Sequence, residues 1–153
     1  MKIEIKKLPE NGVHIEEAES PQKLGLEYPL CQFKDPVKLH FFVNQVSGDL
    51  LVQGSIQTQA HIECSRCLND FVFPIDLKSF TFCEPIDEQL IIDLTDPIKE
   101  DIMLSLPSKP LCNEACEGLC ASCGQNLNVK KCHCDKSVHH VWVTELGKLK
   151  LDK

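Results

Sequence analysis

Residues 52–67 read VQGSIQTQAHIECSRC. Taken in steps of two, Val52, Gly54, Ile56, Thr58, Ala60 and Ile62 fall on one side of the chain. Gln53, Ser55, Gln57, Gln59 and Glu63 fall on the other, which is the period of a strand with one buried face. The next step lands on Cys64, so the strand delivers a thiol on its apolar face and runs straight into the CxxC turn of Cys64 and Cys67. Upstream, Val37, Leu39, Phe41 and Val43 alternate with Lys38, His40 and Asn44, and Ser47-Gly48-Asp49 is a turn signal. Downstream, Leu68-Asn69-Asp70 reverses the chain into a third strand carrying Phe71, Phe73, Ile75 and Leu77. The spacing predicts antiparallel strands with a thiol-bearing knuckle at a hairpin tip. A CxxC pair also suits a redox couple, but no βαβ pattern surrounds this one.

The flanks are less patterned. Ile3, Ile5, Val13 and Ile15 alternate with polar residues, as in short edge strands, whereas the run from Glu16 to Pro21 reads as a loop. Cys31 and Cys83 stand alone and read as structural cysteines, Cys31 as a small buried hydrophobe. Leu90, Ile91 and Ile92 suggest a short strand. Asp96-Pro97 then reads as the cap and first residue of a helix of about ten residues, with Ile98, Ile102 and Leu106 at spacing four and Pro107 as its stop. At the other end of the chain, Val138, Val141, Trp142, Leu146 and Leu149 have helical spacing. That segment is an amphipathic helix either docked on the core or offered to a partner, with Gly147 weakening it.

The ten cysteines are concentrated further on. Residues 111–134, LCNEACEGLCASCGQNLNVKKCHC, hold six of them, in the pairs Cys112 with Cys116, Cys120 with Cys123, and Cys132 with Cys134. With Cys64 and Cys67 they make eight thiolates, enough for two closed tetrahedral Zn²⁺ sites, whose ligands arrive as short pairs separated by loops. Gly124 after the second Cys of CASC tolerates the left-handed backbone such a turn needs. The two sulfurs of CHC face one way in extended chain. The favoured division groups Cys120, Cys123, Cys132 and Cys134 in one site and Cys64, Cys67, Cys112 and Cys116 in the other, stapling the hairpin to the segment after the helix. The alternative joins Cys64 and Cys67 to Cys120 and Cys123, leaving Cys112, Cys116, Cys132 and Cys134. His133 is the substitute ligand should a thiol fail to reach, and His139-His140 is a weaker metal candidate.

Composition bounds the function. At 153 residues with 42% hydrophobic and 25% charged residues, the chain is an ordinary globular one, large enough to bury a core. Its apolar runs are far short of a membrane span, and the start MKIEIKKLPE has no signal-peptide core. The expected compartment is the cytoplasm, where cysteines argue for metal over disulfides. Net charge is −7, which disfavours a general nucleic-acid clamp, but it is unevenly placed. Residues 1–119 carry 10 Lys and Arg against 20 Asp and Glu, and residues 120–153 carry 6 against 3. Phosphate contacts are therefore expected only locally, at Arg66, Lys130, Lys131, Lys148 and Lys150. All-thiolate sites are electron-rich and closed, poor at activating water. No P-loop, GxGxxG, HExxH or Ser-His-Asp pattern accompanies them, so the expectation is a binding module without enzymatic activity or small-molecule substrate.

The strand leading into CSRCLNDF at residues 64–71, the helix ending in Leu106-Pro107, and LCNEACEGLCASCGQNLN followed by CHC resemble the YceD family, the large ribosomal RNA subunit accumulation proteins. The block GLCASCGQNLN, residues 118–128, is the most specific part. The resemblance implies a part in large ribosomal subunit biogenesis through precursor rRNA or a ribosomal protein. Some members keep the CxRC pair and a Cys/His pair at the place of Cys112 and Cys116 yet lack the last four cysteines, which implies that each half is a complete site. After Cys134 this chain departs from the Asp-Pro-Arg stretch of many members. Together these readings give an α+β fold. It comprises an antiparallel β-sheet or partial barrel with one central helix, a C-terminal zinc-ribbon-like module and a short C-terminal helix. Residues 1–111 are the body and residues 112–153 the cysteine segment packed with it. A protein–protein adapter outside the ribosome and a thiol/zinc redox-responsive protein are the alternatives.

Overall fold

The computed structural model describes residues 1–28, 31–86 and 91–134. Its elements follow in the order β1 (Lys2–Glu4), a 3-10 turn (Ile5–Lys7), β2 (Val13–Glu19), β3 (Glu27–Tyr28), β4 (Cys31–Gln32), β5 (Val37–Val46), β6 (Asp49–Glu63), β7 (Asp70–Pro85), β8 (Ile91–Asp93) and α1 (Thr95–Leu104). The architecture is mostly antiparallel sheet with one helix among the described residues. The predicted helix around Trp142 lies outside them.

The six-stranded sheet is built around β6. On one side β6 pairs with β5 through its first half and with β4 near its end, while β7 runs along the other side for its whole length. The predicted alternation is present residue by residue. Val37, Leu39, Phe41 and Val43 of β5 are buried, as are Leu50, Val52, Ile56, Thr58, Ala60 and Ile62 of β6, and the run ends at buried Cys64. Ser47 and Gly48 both take positive φ, 53° and 96°, the tight hairpin geometry that matches strand twist. Each fully buried aliphatic side chain contributes about 1.5–3 kcal/mol, so this face carries most of the stability of the body.

Three expectations are corrected. The acidic run from Glu16 to Glu19 is not loop: it continues β2, which pairs with β5 from Val13↔Val43 to Glu19↔Val37. An edge strand needs only one neighbour, and at the end of this run Glu19 pairs with Lys23 at 3.0 Å. The third strand, read on the period of Phe71, Phe73, Ile75 and Leu77, does not keep that period: it runs on to Pro85, and its register against β6 shifts between Gly54 and Ile56. Gly54 opposes Phe80 while Ile56 opposes Leu77, so β7 carries one extra residue, a β-bulge. Inward-facing positions change there from odd numbers, such as Ile75, to even ones, such as Phe80. Cys83, read as structural, is turned outward by that bulge and is exposed.

The third correction concerns the helix start. α1 begins at Thr95, ahead of Asp96. The carboxylate of Asp93 accepts hydrogen bonds from the Thr95 amide (3.0 Å) and hydroxyl (2.5 Å), which holds its pKa below the usual carboxylate range. Pro97 sits in the first turn, where its missing amide costs nothing. Ile98 and Ile102 are fully buried. Ile3 of β1 opposes Ile92 of β8 in a two-stranded sheet, both buried in the same core, and this pairing leads directly into α1. From the helix the chain passes Pro107 and Pro110 and returns to the hairpin tip, where the Ser65 amide donates to the Pro110 carbonyl at 2.8 Å.

Candidate metal centre

The β6–β7 hairpin closes with a knuckle. The Cys64 amide donates to the Asn69 carbonyl (2.9 Å) and the Leu68 amide to the Cys64 carbonyl (3.0 Å). The same pair of bonds recurs 56 positions later in the chain: the Cys120 amide donates to Gln125 and the Gly124 amide to Cys120, both at 2.8 Å. The two CxxC turns are thus one local structure used twice. Each requires left-handed backbone after its second cysteine, which Gly124 supplies at φ 72° and Leu68 at φ 59°.

Against the first knuckle the chain lays residues 112–116. Cys64 Sγ lies 3.9 Å from Cys116 Sγ, and Cys67 Sγ lies 3.7 Å from Cys112 Sγ. All four sulfurs fall within 4.8 Å of one another. Four thiolates at about 2.3 Å from a central Zn²⁺ stand roughly 3.8 Å apart, so the spacing fits a tetrahedral ion. Cys120, Cys123, Cys132 and Cys134 gather within the same limit. The structure therefore brings the eight thiols together as the first of the two divisions read from the sequence. The two sets differ in exposure: Cys64, Cys67 and Cys116 are buried and Cys112 is exposed, whereas in the second set Cys123 is exposed and Cys120, Cys132 and Cys134 are half-buried.

Electrostatics within each cluster are those of thiols competing for charge. Burial opposes ionisation of Cys64, but hydrogen bonds from the backbone amides of Cys112, Cys67 and Arg66, together with the Cys67 thiol, outweigh it and bring the group down to about 6. The amides of Cys123 and Ser122, then the Cys132 thiol, do the same for Cys120, also to about 6. Desolvation and the sulfurs of Cys67, Cys64 and Cys116 push Cys112 up to about 12; Cys123 and Cys132 do so for Cys134. In each cluster the first cysteine of the knuckle ionises most readily, and at least one of its neighbours resists ionisation. Four crowded thiols of this kind could be held together by a metal ion.

The other candidates divide. Arg66 is exposed, yet its Nη1 donates to the carbonyls of Cys116 (2.9 Å) and Glu114 (3.3 Å), and its own carbonyl accepts from Leu119 at 3.1 Å. It fastens the cysteine segment to the hairpin. Gly118 at φ 77° passes so close that an added Cβ would lie 3.0 Å from the Arg66 carbonyl oxygen. Lys130 and Lys131 are exposed beside the second cluster. Lys148, Lys150 and the His139-His140 pair lie outside the described residues. His133 is exposed and is not among the gathered ligand atoms. Burial in the sheet edge raises the pKa of Cys31, away from both clusters.

Two asparagines escaped the sequence reading. Asn128 donates from Nδ2 to the Cys116 sulfur at 3.3 Å and accepts at Oδ1 from the Glu117 amide at 2.8 Å. Asn126 Oδ1 in turn accepts from the Asn128 amide (3.0 Å) and Nδ2 (2.9 Å). The loop of the second cluster thereby holds a ligand of the first. The visible signal was two amides at spacing two inside a ligand loop, residue types that satisfy backbone and sulfur together.

With this geometry established, the similarities of the chain are informative. The family model described as large ribosomal RNA subunit accumulation protein YceD matches residues 82–150. An uncharacterized protein of Mycobacterium leprae is 30% identical over 135 residues, which cover 78% of this chain and 62% of that protein. An uncharacterized protein of Mycobacterium tuberculosis is 30% identical over 140 residues, covering 80% and 67%. The Arabidopsis thaliana protein named large ribosomal RNA subunit accumulation protein YCED homolog 1, chloroplastic, is 34% identical over 59 residues, 39% of this chain and 18% of its own length. The chain thus spans under two thirds of the length of the Mycobacterium leprae relative. No solved structure matches.

Proposed function

The chain belongs to the YceD family, and from that membership we propose that it is a non-enzymatic zinc-binding factor supporting large-subunit rRNA accumulation. It does so in the cytoplasm, by binding precursor rRNA or a ribosomal protein. The observation that carries the reading is the coincidence of the family match with two closed four-thiol clusters. Sites of this kind stabilise a shape and leave no open position for water or substrate.

In this reading residues 1–111 supply the body and residues 112–153 the metal-bearing segment, forming a zinc-ribbon-like module that folds onto the body through the first cluster. The ions would be held by Cys64, Cys67, Cys112 and Cys116, and by Cys120, Cys123, Cys132 and Cys134. When bound, zinc supplies cross-linking and not chemistry. Arg66 spends part of its guanidinium inside the chain, so Lys130 and Lys131 are the better phosphate contacts among the described residues. No helix among the described residues is long and apolar enough to cross a membrane.

Two measurements test this. Sucrose-gradient profiles of cells depleted of the protein should show reduced large subunits and accumulated precursor rRNA; normal levels of both would reject the assembly role. Elemental analysis of protein purified without chelator should return two zinc per chain, and none would reject the metal reading. The exposure of Cys112 and Cys123, one in each cluster, favours one second reading, a thiol/zinc redox-responsive protein. It requires that mild oxidation release zinc and change partner binding in parallel.

A further inference from the structure

Leu68 follows the second cysteine of the first knuckle at φ 59°. A side chain in left-handed backbone crowds its Cβ against the following carbonyl oxygen, and the twin turn avoids that cost with Gly124. Burial does not repay it, because Leu68 is 55% exposed. Val72, four residues on along β7, is 47% exposed. Between them runs a second unfavourable arrangement: Glu63 and Asp70 stand directly opposite in the β6–β7 register, both exposed. Neither carboxylate has an ion-pair partner among the described residues, and like charges directly opposite in a sheet are destabilising. Glu114, also exposed, is held at the same end by its backbone carbonyl, which accepts from Arg66 Nη1 at 3.3 Å.

Features that disfavour the isolated chain, gathered at one rigid tip, are the features of a binding surface: an apolar anchor with a charged rim. We propose that the tip around Leu68 docks a Lys/Arg-rich segment of a large-subunit ribosomal protein that presents an apolar side chain to Leu68 and Val72. The inference rests on the assembly reading and names its partner class. Charge selects protein over RNA here: the carboxylates of Glu63, Asp70 and Glu114 outnumber the Arg66 guanidinium, whose Nη1 is already engaged by the Cys116 and Glu114 carbonyls. RNA contact, where it occurs, belongs to the lysine-bearing side near the second cluster.

The distinguishing variant is Leu68→Gly. Relief of the left-handed strain offsets the added freedom of glycine in the unfolded chain, so the protein should be no less stable than its parent and keep its metal. The full-length, metal-loaded chain is presented with RNA-free total protein of the large ribosomal subunit and, separately, with deproteinised large-subunit rRNA. Retained proteins are identified by mass. The expected result is capture of one or a few basic subunit proteins, weakened roughly tenfold or more by Leu68→Gly. Glu63→Gln with Asp70→Asn should also weaken capture and flatten its salt dependence. Undiminished capture by Leu68→Gly, or capture of rRNA alone through this tip, overturns the proposal. Complementation separates the two readings. If depletion impairs the large subunit and Leu68→Gly restores it fully, the docking inference fails while the assembly role stands; if depletion does nothing, both fail.

Discussion

Asn128 shows what a single side chain contributes at the residue scale. Its Nδ2 supplies a hydrogen bond to the Cys116 sulfur, which withdraws charge from a thiolate that must share a small volume with three others. Its Oδ1 fixes the backbone at Glu117. Partners of this kind orient a ligand, and their loss typically weakens metal binding about 10–100-fold. Asn128→Ala should therefore lower the affinity of the first cluster about tenfold, read by the thiolate-to-metal charge-transfer bands of Co²⁺ during titration. With the first site empty the second cluster should be unaffected, because Asn128 touches none of its sulfurs; with the first site loaded its affinity should fall by the same factor, since coupling between two sites is reciprocal. Equal affinity in parent and variant would reduce Asn128 to a loop residue. At this scale the cysteines were legible because pair spacing and thiol chemistry are written in the sequence. The Asn128 bond was not, since it joins two segments that only the fold brings together. Leu68 was hidden for another reason: a left-handed leucine has no signature of its own, and only comparison with Gly124 in the folded twin exposes it.

At the scale of elements, the central strands were readable because each buries one face and a period of two survives any tertiary context. The bulge was not. One extra residue in β7 leaves local composition untouched but exchanges inside for outside, which is how Cys83 comes to face outward. Its structural companion is Gly54, which lies between Phe41 of β5 and Phe80 of β7. Those rings meet across it with centroids 4.9 Å apart. A Cβ on Gly54 would come 1.9 Å from the His40 carbonyl oxygen and 2.8 Å from the Phe41 Cα. Neither is the end of a flexible side chain, so the strands themselves would have to part. Gly54→Ala should cost about 3 kcal/mol, the upper range for forcing atoms into a packed core, measured as a fall in the urea midpoint at unchanged slope. A loss under about 0.5 kcal/mol would mean that β5 and β6 separate more easily than close packing allows. Pro74, also in β7, fits the same picture. It has no amide to give, so it belongs on a strand whose other edge is unpaired among the described residues, where it discourages further strand addition.

For the whole molecule, the two clusters divide the labour unequally, and metal removal should reveal the order. The first closes a loop of 45 positions between Cys67 and Cys112. A cross-link of that span is worth about 4 kcal/mol if it acts by restricting the unfolded chain. Three of its four cysteines are buried, and Arg66 and the Ser65–Pro110 bond brace it from outside. The second cluster closes only a short loop, and its sulfurs stand nearer solvent. A chelator should therefore empty the second site first. Amides that depend on it, such as those of Gly124 and Leu127, should lose hydrogen-exchange protection while β5, β6 and β7 keep theirs. Emptying that site also frees the loop that carries Asn128, so the affinity of the first site should fall by about the same factor as in Asn128→Ala. Only when the first site is emptied should the thermal midpoint of the sheet itself drop, because the Arg66 and Ser65 hydrogen bonds that remain are a weaker tie between the carboxyl-terminal segment and the hairpin than a four-thiolate ion. Release of both ions in one step, with protection lost everywhere together, would show instead that the chain folds as a single cooperative unit around both metals.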